Sequence, residues 1–179
     1  MDTGDQAQRA VVDALSKPTT YPERPAAIER IDTHSAHIFL AGSRAYKLKR
    51  AVRYPFLDYS TLERRQHACE AELRLNRRTA PTIYERTSKV TREASGSFAI
   101  DGSGSVVDWL VVMRRFDGEA LLDRVAAAGG FTRELAVRLA DAIADFHARA
   151  MPTPHHGGTE GMRDVVDDNV RPLACKREG

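Results

Sequence analysis

The sequence AHIFLAGSRAYKLKR, residues 36–50, decides the fold of this chain. Apolar and polar residues alternate on both sides of the Gly42-Ser43 pair, which is typical of two antiparallel strands joined by a tight turn. Because successive side chains of a strand point to opposite faces, the second strand should carry Tyr46 and Leu48 on one face and Ala45, Lys47 and Lys49 on the other. A lysine two residues after a small alanine can hold its ammonium at the end of a slot that a flat ring could enter. Lys47 is therefore the candidate functional cation.

The sequence RYPFLDYS at residues 53–60 is predicted to be a linker, and a helix is predicted after it. The tetrapeptide Ser60-Thr61-Leu62-Glu63 is a capping box, in which the serine hydroxyl and the glutamate satisfy free N–H groups of the first turn. Helical spacing then gives an inner stripe of Leu62, Cys69, Leu73 and Asn76. Glu72 lies at the edge of this stripe and could meet Lys47. Such an ion pair would hold the amine in place for phosphate oxygens.

The rest of the chain predicts an α+β fold. A capping box at Thr3 begins a leading helix whose apolar face ends before Pro18. Alternation predicts strands near 27–33, 83–91 and 97–100, and the apolar run VVDWLVVMRRF at 106–116 is typical of a buried central strand. The expected fold is an antiparallel sheet of about five strands with the Glu72 helix packed on it, followed by a helical portion.

The helical portion begins after Gly129-Gly130, which should end a preceding helix. Thr132 is predicted to cap a longer helix, whose inner stripe consists of Leu135, Leu139, Ile143 and Phe146. His155-His156-Gly157-Gly158 predicts a flexible loop, and the tail PLACKREG at 172–179 shows no element pattern.

Composition excludes several classes of function. The chain has 179 residues, a net charge of +2 and no apolar run long enough to span a bilayer. The arginine pairs, such as Arg64-Arg65, lie on separate elements, so solvated faces and carboxylate partners are favoured over nucleic-acid binding. The two cysteines, Cys69 and Cys175, predict free thiols rather than a disulfide framework or a metal site. With no secretory signal at its beginning, the chain is expected to be cytoplasmic.

Four segments resemble a known family. They are THSAHIFLAGSRAYKLKRAVRYPFLDYSTLERR, CEAELRLNRRTAP, VVMRRFDGEALLDR and LADAIADFHARA, and together they cover roughly residues 5–150. They are similar to the amino-terminal part of aminoglycoside-phosphotransferase-like enzymes, a branch of the protein-kinase-like superfamily that in many relatives precedes a P-loop ATPase domain. The resemblance implies a leading helix and linker at 1–22, an ATP-binding small lobe at 23–117 and a partial large lobe at 118–179.

The same resemblance implies roles for individual residues. Lys47 and Glu72 would form the phosphate-binding lysine–glutamate pair, and Ser35, in the turn DTHSAH, would bind phosphate, with an ordinary turn serine as the equal alternative. Met113 would lie behind adenine, the backbone from Arg114 to Phe116 would bond its edge, and Glu119 could reach the ribose. ATP with Mg²⁺ would be the cofactor, and a small-molecule hydroxyl the phosphate acceptor.

The catalytic loop of the family, of the type His-Gly-Asp with an asparagine five residues after the aspartate, is not found. Asp164 and Asn169 have the aspartate–asparagine spacing, but no histidine precedes Asp164 by two residues. The surrounding MRDVVDDNV predicts a short helix with a solvated acidic face. The expectation is a chain truncated before the catalytic loop, which binds nucleotide at most and does not turn over.

Two alternatives to an ATP-binding lobe remain. One is a pseudokinase-like interaction module that exposes the apolar helix face of Leu135, Leu139 and Phe146, because an incomplete large lobe would leave that face uncovered and open to self-association. The other is a fragment without a function of its own.

Overall fold

The computed structural model describes residues 3–153 and 157–174. Residues up to Ala128 form one compact unit and residues from Gly129 form a second. The first unit contains helices α1 (Thr3–Leu15), α2 (Leu62–Asn76) and α3 (Leu122–Ala127), with short 3₁₀ turns at Pro18–Thr20 and Gly118–Ala120. Its strands are β1 (Ile28–Asp32), β2 (Ala36–Ala41), β3 (Arg44–Lys49), β4 (Arg53–Tyr54), β5 (Leu57–Asp58), β6 (Tyr84–Arg92), β7 (Phe98–Ile100) and β8 (Ser105–Arg114).

The sheet confirms the predicted α+β class. Six strands pair antiparallel in the order β1-β2-β3-β8-β6-β7, and β2 and β3 form the predicted hairpin around Gly42. Gly42 has φ +58°, a left-handed conformation that glycine adopts without steric cost. The apolar run at 106–116 becomes β8, between β3 and β6.

The predicted linker at 53–60 was wrong, because β4 and β5 pair there as a small ribbon. Each of its strands has only two residues, which is too short for an alternating pattern to be visible in the sequence. Tyr54 and Phe56 stack on this ribbon, with ring centroids 5.8 Å apart.

The two faces of the sheet follow the period-2 pattern of β3. Tyr46 and Leu48 are buried in a core shared with Val11 and Leu15 of α1. Lys47 and Lys49 point to the opposite face, where α2 packs. The sheet of the first unit therefore lies between α1 and α2, and the leading helix contributes to the core.

Helix α2 begins one residue later than predicted. Its N-cap is Thr61, whose hydroxyl accepts from the N–H of Arg64, whereas the Ser60 hydroxyl donates to Asp58 at 2.6 Å. The hydroxyl of Ser60 or of Thr61 could cap the helix. Because the Ser60 hydroxyl is bonded to the carboxylate of Asp58, Thr61 is the cap.

The second unit contains α4 (Arg133–Arg149) and α5 (Gly158–Ala174). Thr132 caps α4 as predicted, accepting from the N–H of Leu135 at 3.2 Å. Helix α5 is longer than the predicted short helix, since it begins at the second glycine of the expected loop and continues into the tail. Pro172 normally predicts the end of a helix, and for that reason the last turn was missed. No helix in the described part of the chain is long and apolar enough to cross a membrane.

Candidate functional site

One carboxylate is shared between two lysines on the α2 face of the sheet. Lys47 Nζ lies 2.8 Å from Glu72 Oε1, and Lys49 Nζ lies 2.6 Å from Glu72 Oε2. The Lys47 side chain is 28% exposed, whereas that of Lys49 is 5% and that of Glu72 is 12% exposed. The two ammonium groups and one carboxylate leave a net charge of +1, and Lys47 is the cation that solvent can reach.

The electrostatics favour the ionised forms of Glu72 and Lys49. Burial opposes the ionisation of Glu72, but hydrogen bonds from Lys47 and Lys49 prevail and hold the pKa of its carboxyl below the usual range. Burial would likewise lower the pKa of Lys49, but the hydrogen bond to Glu72 prevails and raises it. The cluster can therefore present a fixed positive charge to an anion.

Strand register sets the surroundings of Lys47. Lys47 pairs with Ile38 on β2 and with Val111 on β8, and two residues away Ala45 pairs with Met113. Paired residues share a face, so Lys47, Ala45 and Met113 lie on the same side of the sheet. The structure thus brings together three of the residues that the sequence singled out: Lys47, Glu72 and Met113.

Lys49 was not predicted as a partner of Glu72, although its place on the same face as Lys47 was the available signal. Its ammonium lies 4.8 Å from the centre of the Tyr59 ring and 3.5 Å from the Tyr59 hydroxyl. Cys69 of α2 is fully buried nearby, and burial raises the pKa of its thiol to about 12. Lys49 is therefore an enclosed cation between the sheet and α2.

Ser35 lies in the turn between β1 and β2, at the same end of β3 as Lys49. Its carbonyl accepts from the N–H of Arg50 at 2.9 Å, and Ala36 pairs with Lys49. The residue is half-buried. The turn is thus held against the end of the strand that carries both lysines.

Where β8 ends, some backbone N–H groups already form hydrogen bonds within the protein. The N–H of Arg114 donates to the carbonyl of Ile83, and that of Arg115 donates to the carbonyl of Ser43, both at 2.8 Å. Phe116 is exposed, and Glu119 lies exposed in the following 3₁₀ turn. Of the main-chain groups predicted to meet adenine, the N–H groups of Arg114 and Arg115 are already used within the protein.

Asp164 is exposed on α5, and Asn169 lies later in the same helix, within the second unit. Both residues of the aspartate–asparagine spacing therefore lie on a helix rather than in a loop. His155 and His156 lie outside the described residues. Among residues 3–153 and 157–174, no group of three or more histidine, cysteine or acidic side chains could hold a metal ion.

A buried polar network behind the lysines was not anticipated. Arg65 Nε lies 2.7 Å from Asp108 Oδ1, and Gln8 Nε2 donates to Asp108 Oδ2 at 2.9 Å and to the carbonyl of Lys49 at 2.8 Å. The amide oxygen of Gln8 accepts from the N–H of Ala51. A cavity of about 330 Å³ adjoins these side chains. Arg65 has the carboxylate partner expected of the arginine pairs, but it is buried rather than on a solvated face.

Comparison with known proteins gives relatives in two mycobacteria. Proteins of Mycobacterium tuberculosis and Mycobacterium bovis, each described as an uncharacterized protein, are 34% identical to this chain over 119 residues. The match covers 66% of this chain but 22% of each relative, so the chain spans about a fifth of their length. No protein-family model matches the sequence, and no solved structure gives a significant match.

Proposed function

We propose that residues 3–128 form an ATP-binding lobe of the kind found in aminoglycoside-phosphotransferase-like kinases. The observation that carries this proposal is the contact between Lys47 of β3 and Glu72 of α2, at 2.8 Å, in which the Lys47 side chain stays 28% exposed. A strand lysine held by a helix glutamate is the arrangement with which kinases position an ammonium against nucleotide phosphates.

The strand order supports the same proposal. β8 pairs with β3 and leads directly into the segment from Arg114 to Phe116. Met113 shares the face of Lys47 and would lie behind adenine, and Ala45, which pairs with Met113, is the small residue over which a flat ring would enter. Since the N–H groups of Arg114 and Arg115 already donate to the carbonyls of Ile83 and Ser43, the adenine edge would meet main-chain carbonyls and the N–H of Phe116.

At the other end of the sheet, Ser35 would bind phosphate from the turn that packs beside the lysines. Glu119 would reach the ribose. The described residues offer no metal cluster of their own, so Mg²⁺ would enter on the phosphates of the nucleotide.

Nucleotide binding without turnover is the function proposed for this chain. The family motif for phosphate transfer does not occur in the 179 residues, and Asp164 lies on a helix rather than a loop. For the longer relatives we propose ATP-dependent phosphorylation of a small-molecule hydroxyl. A cytoplasmic location remains a prediction.

Calorimetric titration with ATP and Mg²⁺ tests the proposal. The chain should bind, and Lys47→Ala should weaken binding at least about tenfold, since a charge-assisted contact is removed. Lys17→Ala, at an exposed lysine after α1, is the matched control and should bind as the unchanged chain does. A folded chain that binds no nucleotide would refute the proposal.

A second candidate, an interaction module, is favoured by the surface of α4. Val137, Leu139 and Ile143 are exposed on this helix, and large exposed apolar surface is unusual for a monomer. The variant Leu139→Glu/Ile143→Glu should lower the mass measured by light scattering if this surface causes self-association. An unchanged monomeric mass for both proteins would remove this candidate.

A further inference from the structure

Lys49 has no role in the nucleotide site as proposed so far, yet it approaches Glu72 more closely than Lys47 does. The Nζ of Lys49 is 2.6 Å from Oε2, and the Nζ of Lys47 is 2.8 Å from Oε1. Each lysine therefore has one oxygen of the carboxylate to itself.

The surroundings of the two lysines differ. Lys49 is enclosed by the ring of Tyr59, and its backbone carbonyl accepts from Gln8 of α1. Its side chain is nearly inaccessible, so an incoming anion cannot reach it, whereas Lys47 is open on one side. Lys49 is thus held both by its backbone and by its ammonium.

The consequence concerns the charge of Glu72 when an anion arrives. If Lys47 were the sole partner, a phosphate that drew the ammonium away would leave a buried carboxylate unpaired, which is strongly destabilising. With Lys49 on the second oxygen, Glu72 stays neutralised. The charge of Lys47 then remains for the anion.

We propose that Lys49 is a positioning residue of the nucleotide site: it anchors Glu72 through Oε2, so that Oε1 orients Lys47 and the remaining positive charge faces the phosphates. This inference rests on the proposed function. Of the other titratable groups near Glu72, Cys69 of α2 and Tyr84 of β6 both have a pKa raised chiefly by burial and stay neutral at pH 7.

Two measurements on the full chain test the inference. The first follows the titration of the Glu72 carboxyl by carbon NMR, and the second follows the affinity for ATP with Mg²⁺ by calorimetry between about pH 5.5 and 8. The variants are Lys49→Met, Lys49→Gln and Lys49→Arg, with Lys17→Met as the surface control. Trp109 fluorescence verifies that each variant is folded.

Removing the charge of Lys49 should raise the titration midpoint of the Glu72 carboxyl, since a hydrogen-bonded cation that favours the carboxylate is lost. Affinity for ATP should fall about tenfold at pH 7, and it should fall further as the pH is lowered, because a proton on Glu72 weakens its hold on Lys47. Lys49→Arg, which keeps the positive charge, should leave both values as they are in the unchanged chain, and Lys17→Met should change neither. Lys49→Gln keeps the test decisive if Lys49→Met does not fold.

An unchanged Glu72 titration, or an unchanged affinity, in a folded variant without the Lys49 charge would overturn the inference. Its failure is distinct from failure of the proposed function. If the unchanged chain binds no ATP, the proposed function fails, while the carboxyl titration still decides whether Lys49 anchors Glu72.

Discussion

Arg65 and Asp108 form an ion pair in the interior of the first unit, with Nε and Oδ1 2.7 Å apart and the two residues 43 positions apart in the sequence. Arg65 lies on α2 and Asp108 lies on β8. Both are buried, and Asp108 also accepts from Gln8 of α1. This carboxylate therefore joins both helices to the central strand.

Replacing Asp108 by asparagine should destabilise the fold by about 3–5 kcal/mol, because Arg65 would be left as a buried charge without an anion. Urea unfolding followed by the fluorescence of Trp109 measures the loss. Asp13→Asn, at an exposed position of α1, is the control and should change stability little. The double variant Arg65→Leu/Asp108→Leu should recover much of the loss, and a double variant no more stable than Asp108→Asn would contradict this explanation.

Gln8 should contribute more to the stability of the fold than a typical surface glutamine does. Gln8→Ala removes hydrogen bonds to Oδ2 of Asp108, to the carbonyl of Lys49 and to the N–H of Ala51, all at buried or partly buried positions. We expect a loss of about 2–3 kcal/mol in the free energy of unfolding. Gln66→Ala, which removes an exposed hydrogen bond from the Gln66 amide to Glu70, is the matched control. Equal effects of the two substitutions would show that the buried network contributes little.

Acid should weaken the fold partly through Glu72. The usual pKa of a glutamate is 4.5, and in the folded protein the pKa of Glu72 lies lower. Below 4.5 the unfolded chain thus binds a proton that the native state does not, so this contribution to stability is complete above 4.5 and is lost as pH falls through the folded value. Between roughly pH 5 and 3, the stability of Glu72→Gln should fall less steeply than that of the unchanged chain.

Other acidic groups complicate a single acid titration. Asp32, for example, has its pKa lowered to about 2, chiefly by the hydrogen bond from Arg30. Such groups act alike in both proteins, so the difference between the two curves isolates Glu72. Parallel curves would mean that Glu72 is not held charged by the lysines.

The thiol of Cys69 should be protected from alkylation. It is fully buried, and burial raises its pKa to about 12, so the reactive thiolate is scarce at pH 8. In a Cys175→Ser background, iodoacetamide should react at least about a hundredfold more slowly with the native protein than with the protein in urea. Similar rates in both conditions would place Cys69 at an accessible surface.

Local pattern was enough to predict the hairpin and the meeting of Lys47 with Glu72. Alternation in β3 gives the face of Lys47, and helical spacing in α2 gives the edge on which Glu72 lies. The sharing of Glu72 with Lys49 could not be predicted from these periods, because both lysines satisfy them equally. Burial, which distinguishes Lys49 from Lys47, depends on Tyr59 and on α1.

The network of Gln8, Arg65 and Asp108 escaped prediction for a different reason. Each residue is polar and stands in a sequence context that suits a solvated surface, and their contacts join positions 43 and 100 residues apart. Such pairing depends on the assembled sheet. The adenine, ribose and phosphate roles of Met113, Glu119 and Ser35 stay predictions, since they rest on resemblance and await the binding measurement.

The bond between Gln8 and Asp108 also has a consequence for synthesis on the ribosome. Helix α1 emerges before the strands of this unit, but the carboxylate that its buried Gln8 amide contacts is added 100 residues later. Until β8 has left the exit tunnel, the leading helix has neither that partner nor the central strand of the core it packs on. The first unit can therefore complete its folding only after β8 is available. Dependence on contacts between distant parts of the sequence favours slow folding.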